Sequence, residues 1–304
     1  PNDPDYHFTP DMIDHAIRWV RSQQALTPDK PFFMYVSFGA THAPHHAPQE
    51  WIEKYRGKFD QGWDAVRAAT LARQKELGIV PPETDLAPRP AEVKPWDEMS
   101  DDEKTVGIRL METYAGYAEH TDYHAGLLVN ALEEMGVLDN TLLIYMAGDN
   151  GASAEGSLTG TTNEMITLNG VVAETLGFKL DHLDDVGTPM AYNHYPVGWA
   201  HAMCCPFQWT KQIASHWGGT RNGMAMRWPI GIQTQGGYAT HVLVPHPKYL
   251  LEHDPIPRDF AGTYMCSGVT AYSAIAKLGS LAERGPALII GLGGVGMMGF
   301  SFLK

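Results

Sequence analysis

The chain has 304 residues, of which 44% are hydrophobic and 19% charged, proportions typical of a folded globular protein rather than a disordered one. The formal net charge of −13 disfavours binding to nucleic acid, because phosphate recognition needs a cationic surface. No apolar run reaches about 18 residues, so we expect no membrane span, and an odd count of three cysteines excludes a disulfide framework.

The first hundred residues predict a helix, a strand and an irregular excursion. Thr9 and Pro10 precede a helical apolar face, which predicts a capped helix. Residues 32–38 are apolar and rich in β-formers, which favours a strand buried on both faces. Residues 53–100 mix charged residues with proline, so we expect an excursion that contains at most one helix.

A long helix and a second strand are predicted next. Ser100 and Glu103 form a capping-box pattern that marks the start of the helix, and residues 141–147 favour another buried strand. A helix followed by a buried strand, twice, favours a parallel α/β sheet, in which ligands bind at the carboxyl ends of strands. The loops at 40–46 and 148–151 follow those ends.

Polar side chains in these two loops are candidate ligands. Asp149 and Asn150 offer a carboxylate and an amide oxygen, hard ligands that suit Ca²⁺ or Mg²⁺, although Asp-Asn-Gly is also a plain turn sequence. His42, His45 and His46 follow the first strand. They are compatible with a metal or anion site, and equally with a proline-shaped loop whose histidines cap backbone groups.

Two further patterns are candidates for a zinc site and an anion-binding site. His120 and His124 have an i,i+4 spacing that can bind zinc, but no glutamate base accompanies them, which favours a polar helix face. The Gly-rich loop between His216 and Arg221 is compatible with anion binding through backbone N–H groups and these two side chains, or with a strand-entry turn.

Residues 1–236 resemble part of the catalytic domain of the type I, arylsulfatase-like sulfatases of the alkaline phosphatase superfamily. The resemblance is carried, in order, by residues 32–48, 114–120, 135–141, 148–153 and 214–229. It implies an incomplete α/β fold with a mixed, largely parallel sheet flanked by helices. It also implies a small-molecule sulfate ester as substrate and a divalent metal, usually Ca²⁺.

The resemblance further implies roles for individual residues. Asp149 and Asn150 match metal ligands of the family, and His42 matches the histidine that contacts the sulfate or the leaving group. Lys211 is the nearest match to a lysine that often precedes the Gly-rich loop, and His216 lies between that lysine and the glycines. We therefore expect His42, Lys211 and His216 to be the catalytic residues.

This sequence departs from the family pattern at the nucleophile. The family's nucleophile is a formylglycine made from Cys or Ser in a Cys/Ser-x-Pro/Ala-x-Arg motif, upstream of the matched region, and no such motif occurs in residues 1–236. Cys205-Pro206 belongs to a near miss that lacks the arginine. We expect a sulfuric ester hydrolase fragment that is truncated at its N-terminus and inactive as written. Because the N-terminus is expected to be missing, the compartment, cytoplasmic or periplasmic, stays open.

Residues 237–304 form a second predicted domain, which resembles a fragment of a medium-chain, zinc-dependent alcohol dehydrogenase. Gly291, Gly293 and Gly296 form G-x-G-x-x-G after an apolar strand, the start of a Rossmann β-turn-α unit whose glycines admit a pyrophosphate. Cys266 matches a catalytic-zinc cysteine without the other ligands. The resemblance therefore implies NAD(P) and zinc only for a complete enzyme.

Three interpretations follow for the whole chain. The leading one is a sulfatase fragment joined to a dehydrogenase fragment as a chimera, with a junction near Gly236. The second is an oxidoreductase, supported only by the C-terminal segment. The third is a non-catalytic protein that binds a divalent metal or a sulfate ester through Asp149, Asn150 and His42. Oligomeric state is open.

Overall fold

A computed structural model describes residues 6–147, 151–170, 174–221 and 223–227. Its α-helices are α1 (Phe8–Leu26), α2 (Gln49–Glu53), α3 (Gly62–Glu76), α4 (Asp101–Glu134), α5 (Glu164–Leu168), α6 (Leu176–Asp181) and α7 (Val197–Met203). Its strands are β1 (Leu143–Ala147) and β2 (Gly223–Arg227). Single 3₁₀ turns lie at Trp96–Glu98, Leu138–Asn140, Leu183–Asp185 and Trp217–Gly219.

The first helix forms as predicted, with a different cap. His7, not Thr9, is the N-cap of α1, because the His7 Nδ1 atom accepts the Thr9 backbone N–H at 3.2 Å. An imidazole nitrogen thus satisfies one of the amides that every helix start leaves without an intrahelical partner. Ile13 and Val20 are fully buried on the inner face of α1.

The long helix α4 confirms the capping-box prediction. The Ser100 hydroxyl accepts the Glu103 N–H at 3.2 Å, and the Glu103 carboxylate accepts the Ser100 N–H at 2.7 Å. The helix runs unbroken for 34 residues, and Gly136, at a φ of 69°, follows its end. The excursion predicted at 53–100 contains one complete α-helix, α3, in agreement with the expectation of at most one helix.

A cluster of three tryptophans forms the centre of the main core. Trp63 of α3, Trp96 and Trp199 of α7 are each at most 5% exposed. Their rings meet mostly edge to face, with centroids 4.7–5.8 Å apart, a favoured aromatic geometry. The Trp199 indole N–H donates to the Gly107 carbonyl at 3.0 Å, so its polar edge is also satisfied. This core anchors α7, which precedes Lys211 in the chain.

The sheet differs from the prediction. β1 pairs antiparallel with β2, with Leu143 opposite Arg227. The largely parallel sheet is therefore not confirmed by the strands in the described ranges. β1 is also not buried on both faces, because Ile144 and Met146 are each about half exposed. A run of apolar residues predicts a strand, but its burial depends on which layers cover it.

Residues 31–39 do not form the buried strand that was expected. No strand pairing is assigned to them, although their side chains alternate between the two sides as in an extended chain. Phe32 and Met34 pack on a core cluster centred on Val20, whereas Phe33 is 88% and Tyr35 77% exposed. Within the part of the chain that the structure describes, no neighbouring strand forms backbone hydrogen bonds with this segment.

Candidate active site

The histidines of the 40–46 loop have different surroundings. The His42 backbone N–H donates to the Gly39 carbonyl at 3.0 Å, and its Nδ1 lies 2.8 Å from the Ala43 carbonyl oxygen. A carbonyl only accepts, so Nδ1 carries the proton and donates. This hydrogen bond fixes the ring and leaves Nε2 as the atom available for chemistry.

The other two histidines of that loop have structural roles. His45 is 1% exposed and stacks on Tyr195, with ring centroids 5.3 Å apart. Burial, reinforced by the nearby histidines, lowers its pKa well below the usual value, so it stays neutral. His46 Nε2 donates to the Ala191 carbonyl at 2.7 Å. His46 therefore caps a backbone carbonyl, and His45 is a buried ring packed against Tyr195, which does not favour a three-histidine metal site.

Both the backbone and the side chain of Lys211 make hydrogen bonds. Its backbone N–H donates to the Ala152 carbonyl at 2.9 Å, and its Nζ lies 3.4 Å from Glu155 Oε2. The Lys211 and Glu155 side chains are 20% and 21% exposed, so the ion pair is largely withdrawn from solvent. The loop after β1 and the loop before β2 are thereby joined through one cation.

Glu155 is an ionised carboxylate in this site. Burial by itself raises its pKa, but the Ser153 hydroxyl, which donates at 2.7 Å, and the charges of Lys211 and His42 outweigh burial and lower the pKa.

Glu164 and His194 complete the charged cluster. The segments that carry them are paired, because Thr161 and His194 exchange two backbone hydrogen bonds of 3.0 Å. Glu164 is 3% and His194 1% exposed. Burial, followed by the charge of Glu155, raises the pKa of Glu164, and burial lowers the pKa of His194 to about 4. The site thus combines one ionised and one more easily protonated carboxyl group with a neutral imidazole.

The Asp149 and Asn150 pair lies outside the described residues. Gly151, the next residue, has a φ of 81°, and a Cβ there would collide with the Gly218 carbonyl oxygen. The glycine requirement at this position therefore comes from a close approach between the loop after β1 and the Gly-rich loop. Gly291, Gly293, Gly296 and Cys266 also lie outside the described residues.

His216 lies on a different surface feature. Its Nδ1 is 2.8 Å from the Ser215 hydroxyl, and its ring faces Trp209. It lines an open cleft of about 570 Å³ together with Phe207 and Trp217. Lys211 pairs with Glu155, whereas His216 lines this aromatic cleft.

The His120 pair and the two adjacent cysteines, both noted in the sequence, have packing roles in the structure. His120 is 2% exposed, so it is a core residue rather than part of a polar helix face, and its ring contacts those of His7 and His124. Cys204 and Cys205 are buried free thiols, and burial raises the pKa of both. A thiol kept protonated is a poor nucleophile, consistent with a chance match to the nucleophile motif.

Sequence reasoning missed Glu155, Glu164 and His194. Glu155 follows Asn150 by five positions, and that proximity to an expected ligand was the one available signal. Glu164 and His194 gave none, because they are distant in the chain and meet only through the pairing at Thr161. Within the described residues, no helix is both long and apolar enough to cross a membrane.

Comparison with known proteins gives two groups of matches. The sulfatase family model matches residues 1–247. An uncharacterized sulfatase of Schizosaccharomyces pombe is 33% identical over 73% of this chain and 38% of its own length, and an arylsulfatase of Klebsiella aerogenes is 29% identical over 72% and 44%. The chain thus spans less than half of these relatives. An NAD-dependent alcohol dehydrogenase of Sulfurisphaera tokodaii is 42% identical over 79 residues, 26% of this chain and 22% of its own.

Proposed function

The chain belongs to the sulfatase family, and from that premise we propose that it is part of a sulfuric ester hydrolase that acts on a small-molecule sulfate ester. Family membership implies an α/β fold of the alkaline-phosphatase type. The observation that carries the proposal is the ion pair between Lys211 and Glu155, which is largely withdrawn from solvent. The sequence resemblance implies catalytic roles for Lys211 and His42, and for His42 a contact with the sulfate or the leaving group.

Each of these two side chains has a chemical task that its contacts support. The Lys211 ammonium group would bind sulfate oxygens through charge-assisted hydrogen bonds. The His42 Nδ1 is occupied by the Ala43 carbonyl, so Nε2 would hold the proton that the leaving oxygen takes up. Ser153 and Gln212 hydrogen-bond the Glu155 carboxylate, which keeps Lys211 directed into the site.

Asp149 and Asn150 would hold the divalent metal that the family implies. Their carboxylate and amide oxygens are hard ligands that suit Ca²⁺, and Gly151 beside them packs against Gly218 without room for a side chain. When bound, such a metal neutralises charge that develops on sulfate oxygens. Ca²⁺ as the specific ion belongs to this proposal.

The 304-residue chain is proposed to be inactive by itself, because residues 1–247, which the sulfatase model matches, contain no Cys/Ser-x-Pro/Ala-x-Arg motif. The one stretch that fits the pattern, residues 280–284, follows this region instead of preceding it. The test compares turnover of 4-nitrophenyl sulfate by the chain and by its Asp149→Ala variant. We expect equal, background rates. Turnover above the variant would overturn the proposed inactivity. Binding of the same ester, weakened by Lys211→Met, would support the sulfatase site, whereas binding unchanged by Lys211→Met and His42→Ala would overturn it.

The dehydrogenase match supports a second proposal, that the gene is a chimera. Its basis is the 42% identity to an alcohol dehydrogenase over a short segment. One long sequencing read of source DNA across codons 200–270 tests it. A break near Gly236 would support two separate genes. A continuous read would overturn the chimera, and NADH titration would then test whether Gly291, Gly293 and Gly296 bind a nucleotide.

A further inference from the structure

Glu155, Glu164 and His194 form a compact set of potential metal ligands. Each offers one ligand atom, and these atoms all lie within 4.8 Å of one another. Zinc makes bonds of about 2.0–2.2 Å to carboxylate oxygen and imidazole nitrogen, so zinc binding would draw these atoms closer together. Glu164 and His194 are more than nine-tenths buried, so the set is enclosed by the fold rather than displayed on its surface.

Glu164 provides an independent sign of a missing ligand. Its Oε2 atom is buried and has no hydrogen-bond partner. Buried polar atoms in folded proteins are nearly always paired, because leaving one unpaired costs the full loss of its hydration. This carboxylate belongs to a group that also includes the negatively charged Glu155, so its natural partner is a cation.

His194 is oriented as a metal ligand. Its Nδ1 lies 3.0 Å from the Tyr195 carbonyl oxygen, which fixes the proton on Nδ1 and leaves the lone pair on Nε2. Metal-binding histidines commonly donate their second nitrogen to a carbonyl in this way.

From these contacts we propose that Glu155, Glu164 and His194 bind Zn²⁺, at a site separate from Asp149 and Asn150. Two carboxylates with one imidazole form a mixed oxygen and nitrogen set, which suits zinc, whereas Ca²⁺ prefers an all-oxygen shell. The proposal does not depend on sulfate ester hydrolysis. Because Glu155 also pairs with Lys211, the bound Zn²⁺ would lie beside the lysine that the proposed function assigns to the sulfate.

Lys211 competes with the metal. Its ammonium nitrogen lies 3.4 Å from Glu155 Oε2 and supplies positive charge to this carboxylate. Zinc binding would displace the ammonium group from Glu155. Lys211→Met keeps an unbranched side chain one atom shorter and removes the charge. It is therefore expected to tighten zinc binding about tenfold, the effect of one ion pair of about 1.4 kcal/mol.

The test is equilibrium dialysis of the metal-free full chain against ZnCl₂, with bound zinc measured by atomic emission. The background variant is Asp149→Ala, which removes the other expected metal site. We expect one zinc per chain in this background, and affinity at least about 100-fold weaker after Glu164→Gln or Glu155→Gln. The matched control is Glu112→Gln, because Glu112 is also a buried glutamate but accepts the Gly57 N–H at 2.8 Å.

Two results would overturn the proposal. One is zinc affinity unchanged by both glutamine substitutions in the cluster, and the other is loss of all tight zinc binding in Asp149→Ala alone. Should Glu164→Gln unfold the chain, Glu155→Gln carries the test, since Glu155 is the more exposed of the two. Failure to bind 4-nitrophenyl sulfate would count against the sulfatase site and leave the zinc result unaffected.

Discussion

Lys211 Nζ lies 3.4 Å from Glu155 Oε2, in an ion pair that joins the loop after β1 to the loop before β2. Both side chains are mostly withdrawn from solvent, so the pair is screened less than a surface salt bridge. An anionic ligand that enters this site meets one cation and one carboxylate. Under the proposed function, the balance between them would set the affinity of the site for sulfate.

Lys211→Met is expected to weaken binding of 4-nitrophenyl sulfate by at least about tenfold. A charge-assisted hydrogen bond contributes about 1.5–3 kcal/mol, and the substitution also leaves Glu155 as an uncompensated repulsive charge. Isothermal titration calorimetry checks this. Lys58→Met, which removes an exposed lysine elsewhere, serves as the control and should leave the affinity unchanged.

Two glycines of α4 are expected to respond oppositely to alanine. A Cβ on Gly116 would lie 2.8 Å from backbone atoms of Ile52 in α2, so Gly116→Ala should destabilise the fold by about 1–3 kcal/mol. Gly126 has open space around the same position, and Gly126→Ala should stabilise the fold by about 0.5–1 kcal/mol through helix propensity. Urea denaturation of both variants checks the signs. Equal effects would contradict the close crossing of α2 and α4.

Arg67 is expected to be essential for the turn after α7. It is 4% exposed, and its guanidinium donates to the Pro206 and Phe207 carbonyls at 3.0 and 2.8 Å. Arg67→Met would leave these buried acceptors unpaired, at a cost of about 3 kcal/mol. Arg73→Met is the control, because Arg73 is 60% exposed and its salt bridge to Glu76 contributes less than about 1 kcal/mol. A similar loss in both variants would argue against the role of Arg67.

Acid is expected to destabilise the chain through buried neutral histidines. His201 is 2% exposed, and burial, followed by the charge of Arg67, lowers its pKa to about 4, with a small contribution from Arg89 and opposition from Asp64. Its usual value is 6.5, so its contribution to stability is complete above about pH 6.5 and falls as the pH drops toward 4. The slope per histidine is about 1.4 kcal/mol per pH unit.

Substitution of His201 isolates this contribution. His201→Leu should reduce the pH dependence of the unfolding free energy, measured between about pH 4 and 6.5, by about one proton. His15→Leu, at a side chain that is 68% exposed, should leave the dependence unchanged. An unchanged slope in His201→Leu would show that the ring is protonated in the folded chain.

Local features of the fold were predictable from the sequence, and features that depend on distant segments were not. The capping box of Ser100 and Glu103 is a four-residue pattern, and the helix after it formed as expected. Residues 32–38 have the composition of a buried strand, but composition does not supply a neighbouring strand. The antiparallel pairing of β1 depends likewise on β2, which lies far along the chain.

The same distinction applies to the candidate site. Lys211 and His42 were found through family motifs, and their catalytic roles remain predictions. Glu164 and His194 come together only because the backbone pairs Thr161 with His194, a contact between segments with no shared pattern. A titratable side chain in a turn has no sequence signature that tells whether it ends in solvent or in a buried cluster.

The contact among Trp63, Trp96 and Trp199 has an optical consequence. Three of the eight tryptophans are close enough for their indole transitions to couple, with centroids 4.7–5.8 Å apart. Native chain should therefore show a strong near-ultraviolet circular dichroism signal that disappears when α3 and α7 separate. The cluster supplies an intrinsic spectroscopic probe of core assembly, which needs no label and can follow every variant described above.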